Sequence, residues 1–238
     1  MNIKFNKRIF VENILVPSSK LSDNVCLDIN TDELKVLVPS TDNSIILFAS
    51  LVCSHVSENA KIIIPETKTF LRLISGIEED EVFLEFNSNI VEYKSSTLSF
   101  KYHLLDDNYI SNNRAFSEDK LNKITYDTSF EITKAKLSEI LKYNSIIPDA
   151  EKLYFYTEAG KVFAKIGDDQ KCNTNEIKIE VAASHTLEPL KEAIPLNIQN
   201  ILLMSFVDDR ICVSINHQLK IFKFETPHTK YIISGLVK

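Results

Sequence analysis

Apolar and polar positions in this chain alternate between two periods, two residues and about 3.6 residues, which are those of strand and helix. The clearest switch lies at Ile62 to Ile74. Ile62-Ile63-Ile64 reads as a short strand and runs directly into an amphipathic helix. Phe70, Leu73, Ile74 and Ile77 stand at i, i+3, i+4 and i+7, one apolar stripe. Lys68 and Arg72, four residues apart, project from the opposite side. Glu66-Thr67 supplies the chemistry of a helix start and Gly76 a stop.

The same alternation predicts the other elements. Lys4 to Val16 reads as a strand entry and a helix, with Phe10 and Ile14 on one face, Arg8 and Glu12 on the other, and Pro17-Ser18-Ser19 ending it. Strands are predicted at residues 25–29, 33–38 and 45–51, and after the Ile62 unit at 82–86, 90–94 and 98–105, with a hairpin through Asn87-Ser88-Asn89. Residues 106–128 are polar and lack periodicity, as expected of a linker or functional loop. From Ser129 the pattern restarts. Phe130-Glu131-Ile132 leads into a helix over Thr133 to Tyr143 with Leu137, Ile140 and Leu141 inward, then strands at 153–156, 162–166 and 177–181. A fourth unit begins at Ile194-Pro195-Leu196 and enters a helix over Asn197 to Phe206 with Ile198, Ile201 and Leu202 inward, followed by strands at 211–215, 219–224 and 231–233.

The apolar triads at Phe70, Leu137 and Ile198, with a weaker one at Phe10, recur roughly every sixty to seventy residues. Each precedes about three strands, so the chain reads as an α+β protein of four strand–helix–strands units, two on either side of the linker. The predicted organisation is a first domain at residues 1–107, a connector at 108–128 and a second domain at 129–238.

Composition narrows the chemistry. At 238 residues, 44% hydrophobic and 25% charged, the chain has ample core for two small domains. No apolar run reaches a membrane span and Met1 to Phe10 has no secretion-signal core, so a soluble, intracellular protein with no membrane partner is expected. Cys26, Cys53, Cys172 and Cys212 are scattered in apolar runs, a pattern of buried free thiols rather than of disulfides or a metal site. Four glycines form neither GxGxxG nor a phosphate-binding P-loop, so no nucleotide cofactor is expected. The histidines His55, His103, His185, His217 and His228 stand alone, and Asp106-Asp107, Asp168-Asp169 and Asp208-Asp209 fall where aspartate forms turns. Nothing here reads as an enzyme.

Charge gives the positive signal. The net charge is −6, yet Arg8, then Lys68 with Arg72, then Lys142 flanked by Lys134 and Lys136, lie on helix sides turned away from the apolar stripes. A lone cation there is usually a solvated face. Three helices sharing the feature in an acidic chain suit a phosphate backbone contacted without regard to base sequence.

In length, paired units, linker and acidic total with basic helices, the chain resembles the DNA polymerase sliding clamps of the three-subunit kind, the proliferating cell nuclear antigen and T-even-like phage clamps. Residues Phe130 to Lys142 are similar to the start of a clamp's second domain, and His228 to Lys238 to the family's closing strand and tail. The resemblance, with its short chain, suggests a viral member, acting at replicating DNA in a host-cell cytoplasm. It implies a homotrimeric ring around duplex DNA, helices inside and sheets outside, with a DNA polymerase and a clamp loader as partners and no cofactor. DNA contact would fall to Arg8, Lys68, Arg72, Lys134, Lys136 and Lys142. Head-to-tail contact would fall to Lys101, Tyr102 and His103 on one subunit and Ile177 and Ile179 on the next. A partner-peptide pocket would use Ile45, Leu47, Ile232, Ser234, Gly235 and Val237. Two departures stand out: the fourth helix has no Lys or Arg, and the tail has Gly235 where the cellular relatives often place proline. The rival expectations are a monomeric DNA-binding processivity subunit and a two-domain structural or virion protein that does not touch DNA.

Overall fold

A computed structural model describes residues 1–87, 89–105, 118–147, 149–168, 175–184, 186–187, 189–190 and 193–236. The chain divides into two compact units, Met1–Phe116 and Ser117–Lys238. Asp106, Asp107, Asp169, Cys172, His185, Val237 and residues 108–117 of the connector lie outside the described residues.

In the first unit β1 (Asn2–Asn6) runs into a helix over residues 7–21, followed by β2 (Val25–Ile29), β3 (Glu33–Pro39) and β4 (Ile45–Val52). Then β5 (Ala60–Ile64) runs into the helix Thr67–Ser75, followed by β6 (Glu81–Asn87), β7 (Ile90–Lys94) and β8 (Ser99–His103). The second unit opens with a short helix, Glu118–Asn122. There β9 (Thr128–Thr133) runs into the helix Lys134–Asn144, followed by β10 (Lys152–Glu158), β11 (Lys161–Ile166), β12 (Ile177–Ala182) and the short β13 (Thr186–Leu187). Finally β14 (Ile194–Asn197) runs into the helix Ile198–Leu203, followed by β15 (Arg210–Asn216), β16 (Ile221–Glu225) and β17 (Thr229–Ser234).

All four repeats are thus a strand, a helix and three strands, with the short β13 added in the third. Their leading strands are exchanged within each unit. The strand β1 pairs antiparallel with β6, the first strand after the other helix, and β5 pairs with β2. In the second unit β9 pairs with β15 and β14 with β10. The resulting orders are β1-β6-β7-β8 and β5-β2-β3-β4 in the first unit, and β13-β9-β15-β16-β17 and β14-β10-β11-β12 in the second.

Each exchange delivers the first helical N–H to a carbonyl of the sister half. Lys7 N–H donates to Asp80 O at 2.7 Å, Thr67 to Asp23 at 2.7 Å, Lys134 to Asp209 at 2.8 Å and Ile198 to Glu151 at 3.0 Å. The four acceptors all belong to acidic residues. A helix start needs acceptors and favours nearby negative charge. Asn6, Thr133 and Asn197 add side-chain caps to three of the starts.

The predicted stripes are buried except at half-buried Leu73 and Leu141 and at exposed Leu202. Phe10, Ile14, Phe70 and Ile74 fill the first unit, with Phe5 and Phe10 rings 4.4 Å apart; Leu137, Ile140, Ile198 and Ile201 fill the second with Phe155, Phe222 and Phe224. Three local expectations are corrected. The first helix does not stop at Pro17 but continues to Leu21, through a π-helical stretch at Phe10–Leu15 in which Val16 N–H bonds Val11 O. Proline has no N–H to donate, and it is placed where the α-helical ladder has already been interrupted. The fourth helix ends at Leu203, because Met204 turns extended. The strand expected from Leu219 starts at Ile221, because residues 217–220 form the turn.

Candidate nucleic-acid interface

In the first unit the helix of residues 7–21 packs beside Thr67–Ser75; in the second, Lys134–Asn144 packs beside Ile198–Leu203. With one face of each helix buried, the side chains opposite are set by the 100° step per residue. On Thr67–Ser75 that face exposes Lys68 and Arg72. On Lys134–Asn144 it exposes Lys134, Ser138 and Lys142, each one turn beyond the last, with the Ser138 hydroxyl donating to Lys134 O at 3.0 Å. Among the described residues none of these four cations has an ion-pair partner. Arg8 and Lys136 differ: Arg8 Nε lies 3.1 Å from Glu12, and Lys136 Nζ 2.8 Å from Glu139. Both carry their counter-ion with them, which leaves a short-range dipole where the other four present a net charge.

The placement of the first-turn charges runs against helix stability. The first turns of Thr67–Ser75 and Lys134–Asn144 hold no acidic residue, and Lys68, Lys134 and Lys136 stand there instead, at the positive end of the helix dipole. Arg72 and Lys142 sit in the last turns, where the dipole favours them.

The fourth helix is different. It carries no charged residue, exposes Gln199, and leaves Leu202 46% exposed, contrary to the inward position expected of it. Asn200 is buried instead. This turns the buried face toward residues 198, 200 and 201 and rotates Leu202 out.

The residues expected at a head-to-tail contact lie on end strands: β8 ends the order β1-β6-β7-β8 and β12 ends β14-β10-β11-β12. Their side chains are largely engaged at home. Lys101 pairs with Glu92 at 2.6 Å, which raises its pKa, and the Tyr102 hydroxyl donates to Pro65 O while its ring lies 5.1 Å from Phe70. Ile179 is buried, Ile177 is half-buried, and His103 is exposed.

Of the peptide-pocket residues, Ile45 and Leu47 are fully buried in the first unit. In the second, Ile232 is buried on the face of β17 opposite Tyr231 and Ile233, with exposed Ser234 beyond it. That face is partly covered by the segment before β9: Lys230 Nζ reaches Asn122 at 3.3 Å and Lys223 lies 4.9 Å over the Tyr126 ring. Burial, with the Glu225 charge beside it, pushes the Tyr126 hydroxyl up to about 12. Gly235 is a structural requirement. A Cβ there would meet Ile194 Cγ2 and Lys220 O, both at 2.9 Å, and its N–H donates to Lys220 O at 2.7 Å, a bond proline cannot make.

Sequence reasoning missed the acidic carbonyl acceptors at the helix starts and Tyr126. The pair Asp208-Asp209 was legible as a turn, but the helix it serves begins far away along the chain, at Lys134. His217 sits in a turn, its N–H on Asp127 at 2.7 Å, and among the described residues no group of three potential metal ligands forms. No described helix is long and apolar enough to cross a membrane.

No protein-family model and no curated protein sequence matches this chain. Solved structures do. The DNA polymerase III beta chain of Streptococcus pneumoniae superposes with a TM-score of 0.76 at 16% identity, over 100% of this chain and 65% of that one. The Helicobacter pylori beta clamp gives 0.72 at 14% identity, over 100% and 65%. A. fulgidus PCNA, solved with the C-terminal region of FEN-1, gives 0.74 at 9% identity, over 100% and 98%. The chain therefore spans about two thirds of the length of the bacterial clamps and nearly all of the PCNA. Likeness at such low identity establishes the architecture: the chain has the α+β fold of the DNA sliding clamps.

Proposed function

We propose that this protein is a sliding clamp, a non-enzymatic processivity factor that closes as a ring of three copies around duplex DNA and tethers a polymerase delivered with a clamp loader. The observation that carries the reading is the set of exposed cations at Lys68, Arg72, Lys134 and Lys142, in a net acidic chain with the clamp fold. Two of them, Lys68 and Lys134, stand where the helix dipole disfavours them. Charge that costs stability is expected where function needs it.

The mechanism is topological. A closed ring needs only weak, sequence-independent attraction to phosphates, and tight contacts would hinder movement along the duplex. A few unpaired cations per helix, with Arg8 and Lys136 muted by their own carboxylates, suit that task. The ring would close through β8 of one copy and β12 of the next, a heterologous contact that covers two open sheet edges. Partner peptides would dock on the residues carried over from the clamp resemblance, Ile45, Leu47, Ile232, Ser234, Gly235 and Val237. The likeness of the fold to A. fulgidus PCNA, at a TM-score of 0.74, supports the clamp reading.

A monomeric processivity subunit is the second reading, favoured by the ion pairs that already engage Lys101 with Glu92 and Lys161 with Glu180. Light scattering across a concentration series separates the two. A mass rising to three subunits supports the ring. A mass fixed at one subunit at high concentration refutes it. Retention on nicked circular plasmid, with loss on linearisation, then tests enclosure against simple binding.

A further inference from the structure

The helices of the four repeats are equivalent by fold but unequal in chemistry. The helix Ile198–Leu203 has no charged residue, and its exposed positions are Gln199 and Leu202. Acidic residues adjoin both of its ends, since Ile198 N–H is held by the carbonyl of Glu151, whose side chain is exposed, and Asp208 and Asp209 follow the helix, while Lys134 and Lys142 belong to the helix packed beside it. The neighbouring cation Lys152 is tied to Asp168 at 2.8 Å. A phosphate approaching this helix meets an apolar leucine, a neutral amide and negative charge nearby.

Resting on the sliding-clamp reading, we infer that the helices of the four repeats share the hold on the duplex unequally, with Thr67–Ser75 and Lys134–Asn144 gripping it through Lys68, Arg72, Lys134 and Lys142. The fourth, Ile198–Leu203, faces DNA without gripping it. Among the described residues Lys68 and Arg72 of the first unit and Lys134 and Lys142 of the second carry no ion pair, whereas Arg8 on the helix of residues 7–21 is held by Glu12. The fourth helix keeps a low-friction face toward the backbone, so that the phosphate contacts formed at any instant stay few and the ring keeps moving. Leu202 is the marker of this role: a large apolar side chain left 46% exposed next to a nucleic-acid surface neither attracts phosphate nor takes a counter-ion.

The test uses the full-length protein on long duplex DNA, in affinity titrations across salt concentration and in single-molecule diffusion on stretched DNA. Gln199→Lys with Leu202→Lys is expected to steepen the salt dependence by about 0.9 in log K per log salt for each lysine that reaches a phosphate, and to slow diffusion. Gln199→Ala with Leu202→Ala is expected to change neither quantity. The inference is overturned if the lysine variant matches the wild type while Lys68→Gln and Arg72→Gln still weaken binding, because the helix then does not face DNA. It is equally overturned if the alanine variant loses affinity, because the helix then already grips. Failure of the clamp reading itself looks different: neither the wild type nor the lysine variant would bind or enclose duplex DNA at any salt.

Discussion

Lys68 and Lys134 allow stability and DNA binding to be pulled in opposite directions. Both lie in the first turn of their helices, and neither has an ion-pair partner among the described residues. Replacing them by glutamine keeps chain length and helix propensity and removes only the charge. A cation at a helix N-terminus costs about 0.3–1 kcal/mol at low ionic strength, so each change is expected to raise the unfolding free energy by about that amount. The same changes take away cations that neutralise phosphates, and the salt dependence of DNA affinity should flatten by about 0.9 for each phosphate no longer neutralised. Arg72→Gln and Lys142→Gln supply the contrast. In the last turns the dipole favours the cation, so stability should fall by about 0.3–1 kcal/mol while the salt dependence flattens just as much. Denaturant titration at low salt reads the first quantity, and fluorescence anisotropy of labelled duplex across a salt series reads the second. If Lys68→Gln and Lys134→Gln gain stability with an unchanged salt slope, the cations are a solvated face and the DNA assignment fails. If they lose stability, the dipole argument fails.

Gly235→Ala is expected to destabilise the second unit by about 1–3 kcal/mol in denaturant, since its Cβ would overlap both Ile194 and the Lys220 carbonyl; an unchanged midpoint would refute this. Tyr231→Phe removes a buried hydroxyl that accepts from Ser205 N–H at 2.9 Å and donates to Ser205 O at 3.1 Å, and should cost about 1–3 kcal/mol. Burial, with the charges of Asp32 and Glu33, pushes the Cys53 thiol up to about 11, so at pH 8 it should react with a disulfide reagent only after unfolding, as mass spectrometry of labelled peptides would read. Burial pushes the Glu225 carboxyl up, but the hydrogen bond from Lys223 and the charges of Lys223 and Lys230 outweigh it and hold its pKa below the ordinary 4.5. Its contribution is present above the unfolded value and lost as pH falls through the lower folded value, so an acid-unfolding curve of Glu225→Gln should lack part of the wild-type decline below about pH 4.5.

The sequence by itself determined the repeating strand–helix–strands units, the buried stripes at Phe10, Phe70, Leu137 and Ile198, and the outward position of Lys68, Arg72, Lys134 and Lys142. Those follow from local periodicity, because which residues share a helix face depends only on the 100° step and which residues share a strand face only on alternation. Tertiary structure alone decided the rest. The exchange of β1, β5, β9 and β14 between sister halves joins strands far apart in the chain, and alternation within a strand is indifferent to its partner. The same exchange sets the carbonyls of Asp80, Asp23, Asp209 and Glu151 at the helix starts, pairings that no local pattern marks. Leu202 satisfied the inward spacing, yet the burial of Asn200 rotates a six-residue helix and exposes it. Tyr102 read as an open-edge residue until the packing brought Phe70 and Pro65 beneath it. In each case a local pattern offered two faces or two partners, and long-range packing selected one.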